Sequence, residues 1–125
     1  MPGYDFINGD SDPQDDHGHG AYISGIIAAN ADNGTGVVGV CPECSIMPIK
    51  VIDGSGMGTY AEVAAGIAWA ADNGAKIINL SIGGYAYSQA LQEAVLYAQN
   101  KGALIIAAGG NQGISVRHFK RLSPD

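Results

Sequence analysis

Gly74-Ala75-Lys76-Ile77-Ile78-Asn79-Leu80 is answered 28 residues later by Gly102-Ala103-Leu104-Ile105-Ile106-Ala107-Ala108. Each copy is a glycine, an alanine and a short apolar run, and each follows a stretch with helical spacing. Ahead of the first, Thr59-Tyr60-Ala61-Glu62 has the form of a capping box, in which side chains satisfy free N–H groups at a helix start. Val63, Ile67 and Ala70 then fall on one stripe, and Gly74 stops the helix. Ahead of the second, Ser88 is the cap, Leu91, Val95 and Ala98 point inward, and Gly102 is the stop. Ala75 to Ile82 reads as a buried strand and Ala103 to Ala108 as a further strand. Alternating helices and strands of this size predict an α/β fold, a parallel sheet with right-handed crossovers.

Upstream, Ser45 to Ile52 reads as another buried strand. Asp53-Gly54-Ser55-Gly56-Met57-Gly58 follows as a mobile glycine-rich loop. It lacks the Lys-Ser/Thr of a phosphate loop and the strand–helix setting of a dinucleotide fingerprint, which argues against nucleotides. In parallel α/β sheets, ligands bind beyond the carboxyl ends of the strands. Asp53–Gly58, Ser81–Gly84 and Gly109–Gly113 lie at such ends and mark the expected substrate cleft.

Further toward the N-terminus, Asp15-Asp16-His17-Gly18-His19 runs into a helix expected from His19 to Asn30. Ile23, Ile26 and Ile27 give it a stripe spaced for burial. His19 stands at the helix mouth, and imidazole is the group here best suited to move a proton near pH 7. Residues 1–18 read as a loop rich in side-chain oxygens. Asp5, Asn8, Asp10, Asp12 and Gln14 are spaced to suit a hard cation such as calcium, which takes six to eight oxygen ligands. A solvated acidic loop has the same composition. Asp32-Asn33-Gly34-Thr35-Gly36 is either a second cation loop or a tight turn. Cys41-Pro42-Glu43-Cys44 is read as a local disulfide or two thiols, since no second pair exists to complete a four-cysteine zinc site within one chain.

The chain of 125 residues suffices for one domain with a modest core. A net charge of −6 argues against a nucleic-acid surface. No run of 18 apolar residues is present, so no membrane partner is expected, and the first residues lack a signal-peptide pattern. Charge is uneven: residues 1–16 hold five aspartates, whereas Arg117, Lys120 and Arg121 face only Asp125 in residues 114–125.

His19-Gly20-Ala21-Tyr22-Ile23-Ser24-Gly25 resembles the His-Gly-Thr-His-Val-Ala-Gly motif of the subtilisin-like serine proteases (subtilases, peptidase family S8), with Ala21 and Tyr22 where that motif has Thr and His. The resemblance spans residues 3 to about 113. It implies a three-layer sheet with helices on both faces, and an endopeptidase acting on peptide or protein substrates. His19 would be the general base, and Asn111, in Gly110-Asn111-Gln112-Gly113, would donate to the oxyanion. Gly56-Met57-Gly58 and Ser81-Ile82-Gly83 would clamp an extended peptide, with Ala107, Ala108, Gly109 and Gly110 lining the pocket for the residue before the cut. Calcium is the implied cofactor, held by Asp5, Asn8, Asp10, Asp12 and Gln14, and at a second site by Asn33 with the carbonyls of Ala31, Thr35 and Val37. Secretion is implied by the family.

In the family's motif order, the triad aspartate precedes this stretch and the nucleophilic serine follows it. The expectation is therefore a truncated catalytic domain over residues 1–113, followed by a divergent basic tail, residues 114–125, that reads like a frameshift or a premature end. A triad needs three converging groups, so full protease activity is not expected of this chain alone. The alternative is an inactive calcium- or peptide-binding fragment, with at most weak esterase activity. An incomplete sheet would expose strand edges, so chains are expected to exchange strands as a homo-oligomer, unless the tail fills the gap or the sheet closes directly.

Overall fold

A computed structural model describes residues 1–84 and 86–111, and the chain forms two compact units, Met1–Gly58 and Thr59–Asp125. The expected basic tail, together with Gln112 and Gly113, lies outside the described residues. Each unit carries its own two-stranded parallel sheet.

In the second unit the repeat is a repeat of structure. Helix α1, His19–Ala28, belongs to the first unit; in the second, helix α2 spans Tyr60–Asp72 and helix α3 spans Gln89–Asn100. The capping box forms as expected: Glu62 N–H donates to Thr59 Oγ1 at 3.2 Å, and Thr59 N–H donates to Glu62 Oε2 at 2.7 Å. At α3, Leu91 N–H donates to the Ser88 hydroxyl at 3.3 Å. Val63, Ile67 and Ala70 are buried along α2, as are Val95 and Ala98 along α3. Both helices stop at a glycine in the left-handed region, Gly74 at φ 85° and Gly102 at φ 86°. The next residue then closes the turn identically: Ala75 N–H to the Ala70 carbonyl and Ala103 N–H to the Ala98 carbonyl, each at 3.0 Å. Strand β3, Ile77–Leu80, and strand β4, Leu104–Ala107, pair in parallel from Ile77↔Leu104 to Leu80↔Ala107.

These strands differ from expectation in length and burial. Ile78 is 8% exposed, but Ile77 is 62%, Leu104 58% and Ile106 49% exposed. Helix α3 packs on β4 and α2 on α3, so one face of the pair is covered. A strand pleat then alternates buried and exposed residues instead of hiding both sets.

In the first unit, residues 1–18 are not loop throughout. Strand β1, Tyr4–Asp5, pairs in parallel with strand β2, Ile49–Lys50. The strand expected from Ser45 to Ile52 contracts to these two residues of β2, half-buried rather than buried, because its partner offers only two residues to pair with. Helix α1 runs His19–Ala28, ending before Asn30, and contains no buried residue. Ile23 and Ile27 are half-buried and Ile26 is 48% exposed, contrary to the expected stripe. No strand of the unit packs along α1; the segment Gly39–Cys41 docks on its last turn instead. Gly39, Val40 and Cys41 N–H groups donate to the carbonyls of Ala29, Ile26 and Ile27 at 2.9, 3.1 and 2.8 Å, satisfying acceptors that a helix end leaves open. Any side chain at Gly39 would strike the backbone of Ala28 and Ala29. Cys41 and Cys44 form a disulfide, which settles the two alternatives left by the sequence.

Candidate active site

His19 is the first residue of α1, and its seat is built by Asp15. Gly18 precedes the helix at φ 96°, and no side chain of its own caps the helix. The Asp15 carboxylate does so from outside. Its Oδ1 accepts the N–H groups of His17 at 3.0 Å and Gly18 at 2.7 Å, and its Oδ2 accepts that of Ala21 at 2.7 Å. A negative group there also meets the positive end of the helix dipole. The bonds from Gly18 and Ala21 hold the Asp15 carboxyl below its usual value, with the His17 amide and imidazole adding to them. His19 is exposed, and its ring centroid lies 6.4 Å from that of His17, at 74° between planes.

His17 in turn faces the glycine-rich loop. A Cβ at Gly56, whose φ is 81°, would stand 3.1 Å from His17 Nε2. The loop, expected to be mobile, is tied together by bonds of its own. Asp53 Oδ1 accepts from the Ser55 hydroxyl at 2.6 Å, Ser55 N–H at 2.9 Å and Met57 N–H at 3.0 Å. Asp53 N–H donates to the Met57 carbonyl at 2.8 Å. These bonds, the serine hydroxyl foremost, keep the Asp53 carboxyl below its usual value. Met57 is exposed at the loop, and Gly58 sits so close to the Val51 carbonyl that no side chain fits.

In the second unit, the expected peptide edge and oxyanion segment leave the same end of one strand pair. Ser81-Ile82-Gly83 continues β3, and Ala108-Gly109-Gly110-Asn111 continues β4, just past the bond from Ala108 N–H to the Leu80 carbonyl at 3.0 Å. Ser81 and Ile82 are half-buried; Gly83 and residues 108–111 are exposed. Asn79 Nδ2 donates to Ser81 Oγ at 2.8 Å. The first unit thus holds His19 and Gly56-Met57-Gly58, and the second holds Ser81–Gly83 and Ala108–Asn111.

Several of the residues expected to hold calcium are hydrogen-bonded to protein donors. Asp5 is fully buried, and both its oxygens are engaged. Oδ1 accepts the N–H groups of Ile7 at 2.7 Å and Asn8 at 2.9 Å; Oδ2 accepts Asn8 Nδ2 at 2.9 Å and lies 3.2 Å from Lys50 Nζ. Burial alone would raise this carboxyl, but the bonds from Asn8, Lys50 and Ile7 outweigh it and hold the group below its usual value. Lys50 also reaches Asp16 Oδ2 at 2.9 Å. Asp10 Oδ1 accepts Asp12 N–H at 2.9 Å, and Gln14 N–H donates to the Asp12 carbonyl at 2.8 Å. Asn33 Oδ1 is turned onto Thr35, accepting its N–H at 3.1 Å and its hydroxyl at 3.2 Å, in an exposed turn that includes Ala31 and Val37. Among the described residues no three His, Cys, Asp or Glu side chains gather as cation ligands. Around Asp5 an ammonium and amide donors take up the carboxylate oxygens.

Sequence reasoning missed Asp15 and Lys50. The signal for Asp15 was a capping-type residue four positions before His19, hidden by the glycine between. The signal for Lys50 was a lone cation in an apolar run, facing an aspartate-rich N-terminus.

The Subtilase family profile matches residues 1–123, running past the boundary expected at 113. The chain is 50% identical to thermitase of Thermoactinomyces vulgaris over 94% of its own length and 42% of thermitase. It is 44% identical to the thermophilic serine proteinase of Bacillus sp. (strain AK1), over 92% of this chain and 29% of that one. Among solved structures, S41 psychrophilic protease superposes with a TM-score of 0.68 at 39% identity, over 74% of this chain and 32% of that one. Sphericase gives 0.66 at 37%, over 72% and 31%. The chain therefore spans less than half the length of these relatives.

Proposed function

The chain belongs to the subtilase family and has an incomplete α/β subtilisin-like fold, and from that premise we propose that it carries the general-base and oxyanion segments of a subtilisin-like serine endopeptidase. The observation that supports this most is the seat of His19: a rigid helix mouth, capped by Asp15, that presents an exposed imidazole. In this reading His19 takes the proton from an attacking hydroxyl and passes it to the leaving amine. The Asn111 amide donates to the developing oxyanion, a contribution of roughly 3–4 kcal/mol to the transition state. Gly56-Met57-Gly58 and Ser81-Ile82-Gly83 take the peptide backbone as an added strand. Ala108-Gly109-Gly110 admits the side chain before the cut. Because the chain covers 42% of thermitase, peptide-bond hydrolysis is proposed for the whole protein, with residues 1–113 as its partial catalytic domain and secretion as its destination. No described helix is long and apolar enough to cross a membrane.

Hydrolysis of 4-nitrophenyl acetate by the chain, beside His19→Ala and Asn111→Ala, tests the roles. We expect slow turnover above buffer, reduced about tenfold or more without the base and several-fold without the amide. Equal rates for all three proteins would sink both assignments.

A second reading, an inactive strand-exchanged oligomer, is favoured by the exposed Ile77, Leu104 and Ile106 on a two-stranded sheet. Calcium remains the proposed cofactor on the family resemblance and the oxygen-only donors of residues 5–14. The hydrogen bonds around Asp5 speak for a loop already closed without an ion. Calorimetric titration with calcium decides between them.

A further inference from the structure

Asparagine is followed by glycine at Asn8-Gly9, Asn33-Gly34 and Asn73-Gly74. Such a pair is open to attack on the side-chain amide by the next backbone nitrogen, because glycine puts no Cβ beside it. At two of the pairs the reacting groups are tied up. Asn8 Nδ2 donates to Asp5 Oδ2 at 2.9 Å, and Gly9 N–H donates to the Asp5 carbonyl at 2.9 Å. Asn73 Nδ2 donates to the Trp69 carbonyl at 2.8 Å, and Gly74 N–H to the Ala71 carbonyl at 3.3 Å. Asn33-Gly34 lies instead in an exposed turn, and among the described residues no acceptor takes the Gly34 N–H or Asn33 Nδ2. Gly34 stands at φ 73°, and a Cβ there would meet nothing, so the space around it is open to solvent. The Asn33 side chain is folded back over this peptide. Its Oδ1 accepts Thr35 N–H at 3.1 Å and the Thr35 hydroxyl at 3.2 Å, closing a ring that contains the Gly34 nitrogen.

We propose that Asn33 is a self-modification site, deamidated in the folded chain by attack of the Gly34 nitrogen, with Thr35 supplying the donors that stabilise the charge formed on Oδ1. Solvent hydroxide takes the Gly34 N–H proton, and the nitrogen bonds to Asn33 Cγ. Negative charge then develops on Oδ1, where the Thr35 N–H and hydroxyl already point, an arrangement that lowers the barrier to a tetrahedral intermediate. The Cγ–Nδ2 bond breaks, Nδ2 takes up a proton and leaves as ammonia, and a cyclic imide remains. Water opens that imide at either carbonyl, giving aspartate at position 33 or its isomer with the backbone running through the side chain. The sum is one water consumed and one ammonia released, with no oxidant or cofactor. The product adds one negative charge to a chain whose net charge is −6. The isomer also lengthens the backbone of the turn that leads into the segment docked on α1, Gly39–Cys41.

The test incubates the full chain in mildly alkaline buffer and follows each Asn-Gly pair by peptide mapping and mass spectrometry, folded and in denaturing urea. In urea the three pairs should convert at similar rates. In the folded chain Asn33 should convert at least as fast as in urea, while Asn8 and Asn73 are slowed several-fold by the bonds that hold them. Thr35→Val keeps the N–H and removes the hydroxyl, and should slow Asn33 several-fold in the folded chain but not in urea. Thr35→Ser restores a hydroxyl and should recover the rate. Slower conversion of Asn33 folded than unfolded, or no difference between Asn33 and the other two pairs in the folded chain, would overturn the site. A Thr35→Val rate equal to that of the unaltered folded chain would overturn the part given to Thr35.

Discussion

Asp5 has no exposed surface, and its two oxygens meet four donors, an ammonium among them. Asp5→Ala would leave the Ile7 and Asn8 donors unmatched and is expected to cost about 2–3 kcal/mol, read as a lower urea midpoint. Its folded carboxyl titrates below the ordinary 3.8, as does that of Asp15. For a group depressed in this way, the stabilisation is complete above the unfolded value and drains away as pH falls through the folded one. Acid unfolding should therefore set in below about pH 4, and Asp5→Asn or Asp15→Asn should flatten that limb. Asp15→Ala removes the cap of α1 and is expected to cost about 1 kcal/mol in thermal unfolding, with Asp15→Asn recovering only part of it, because an amide keeps one acceptor oxygen where the carboxylate uses both. If Asp15→Ala melts like the unaltered chain, the helix mouth is not held as the three bonds imply.

At the scale of elements, α2–β3 and α3–β4 are two castings of one design, closed by Gly74 and Gly102. Replacing either glycine by alanine forces a Cβ into the left-handed region and is expected to cost about 1 kcal/mol each. The two positions share no partner, so the double variant should lose the sum; denaturant midpoints of the three proteins check both statements. These elements were legible because their determinants are local. Thr59 meets Glu62 three residues on, and Val63, Ile67 and Ala70 lie within two turns. Strand extent was not local. Whether Ile77 or Ile106 is covered depends on what packs on the other face, and composition carries no record of that. The bonding of the acidic loop was hidden for a related reason. Its oxygens suit a cation, but the same oxygens accept from Ile7, Asn8 and Lys50, and Lys50 lies 45 residues away from Asp5 in the chain. The histidine motif was read in place, whereas the Asp15 carboxylate that seats it became visible only through its three backbone donors.

For the molecule as a whole, a net charge of −6 opposes association while the apolar residues exposed on β3 and β4 favour it. Light scattering is expected to show oligomers that grow with added salt as the charge is screened. A monomer at both low and high salt would count against strand exchange. The chain's two parallel pairs also set the order of its assembly. Ile77 and Leu104 must meet across the residues of α3, and closing a flexible loop of that length would cost about 3 kcal/mol in chain entropy. A loop that is mostly helix before it closes is shorter and stiffer than coil, so the encounter is largely prepared by Ser88 and the helix it caps. Packing of α2 against α3 should therefore come early and the β3–β4 ladder late. The segments that leave the end of that ladder, Ser81–Gly83 and Ala108–Asn111, should then be the last of this unit to take up their course.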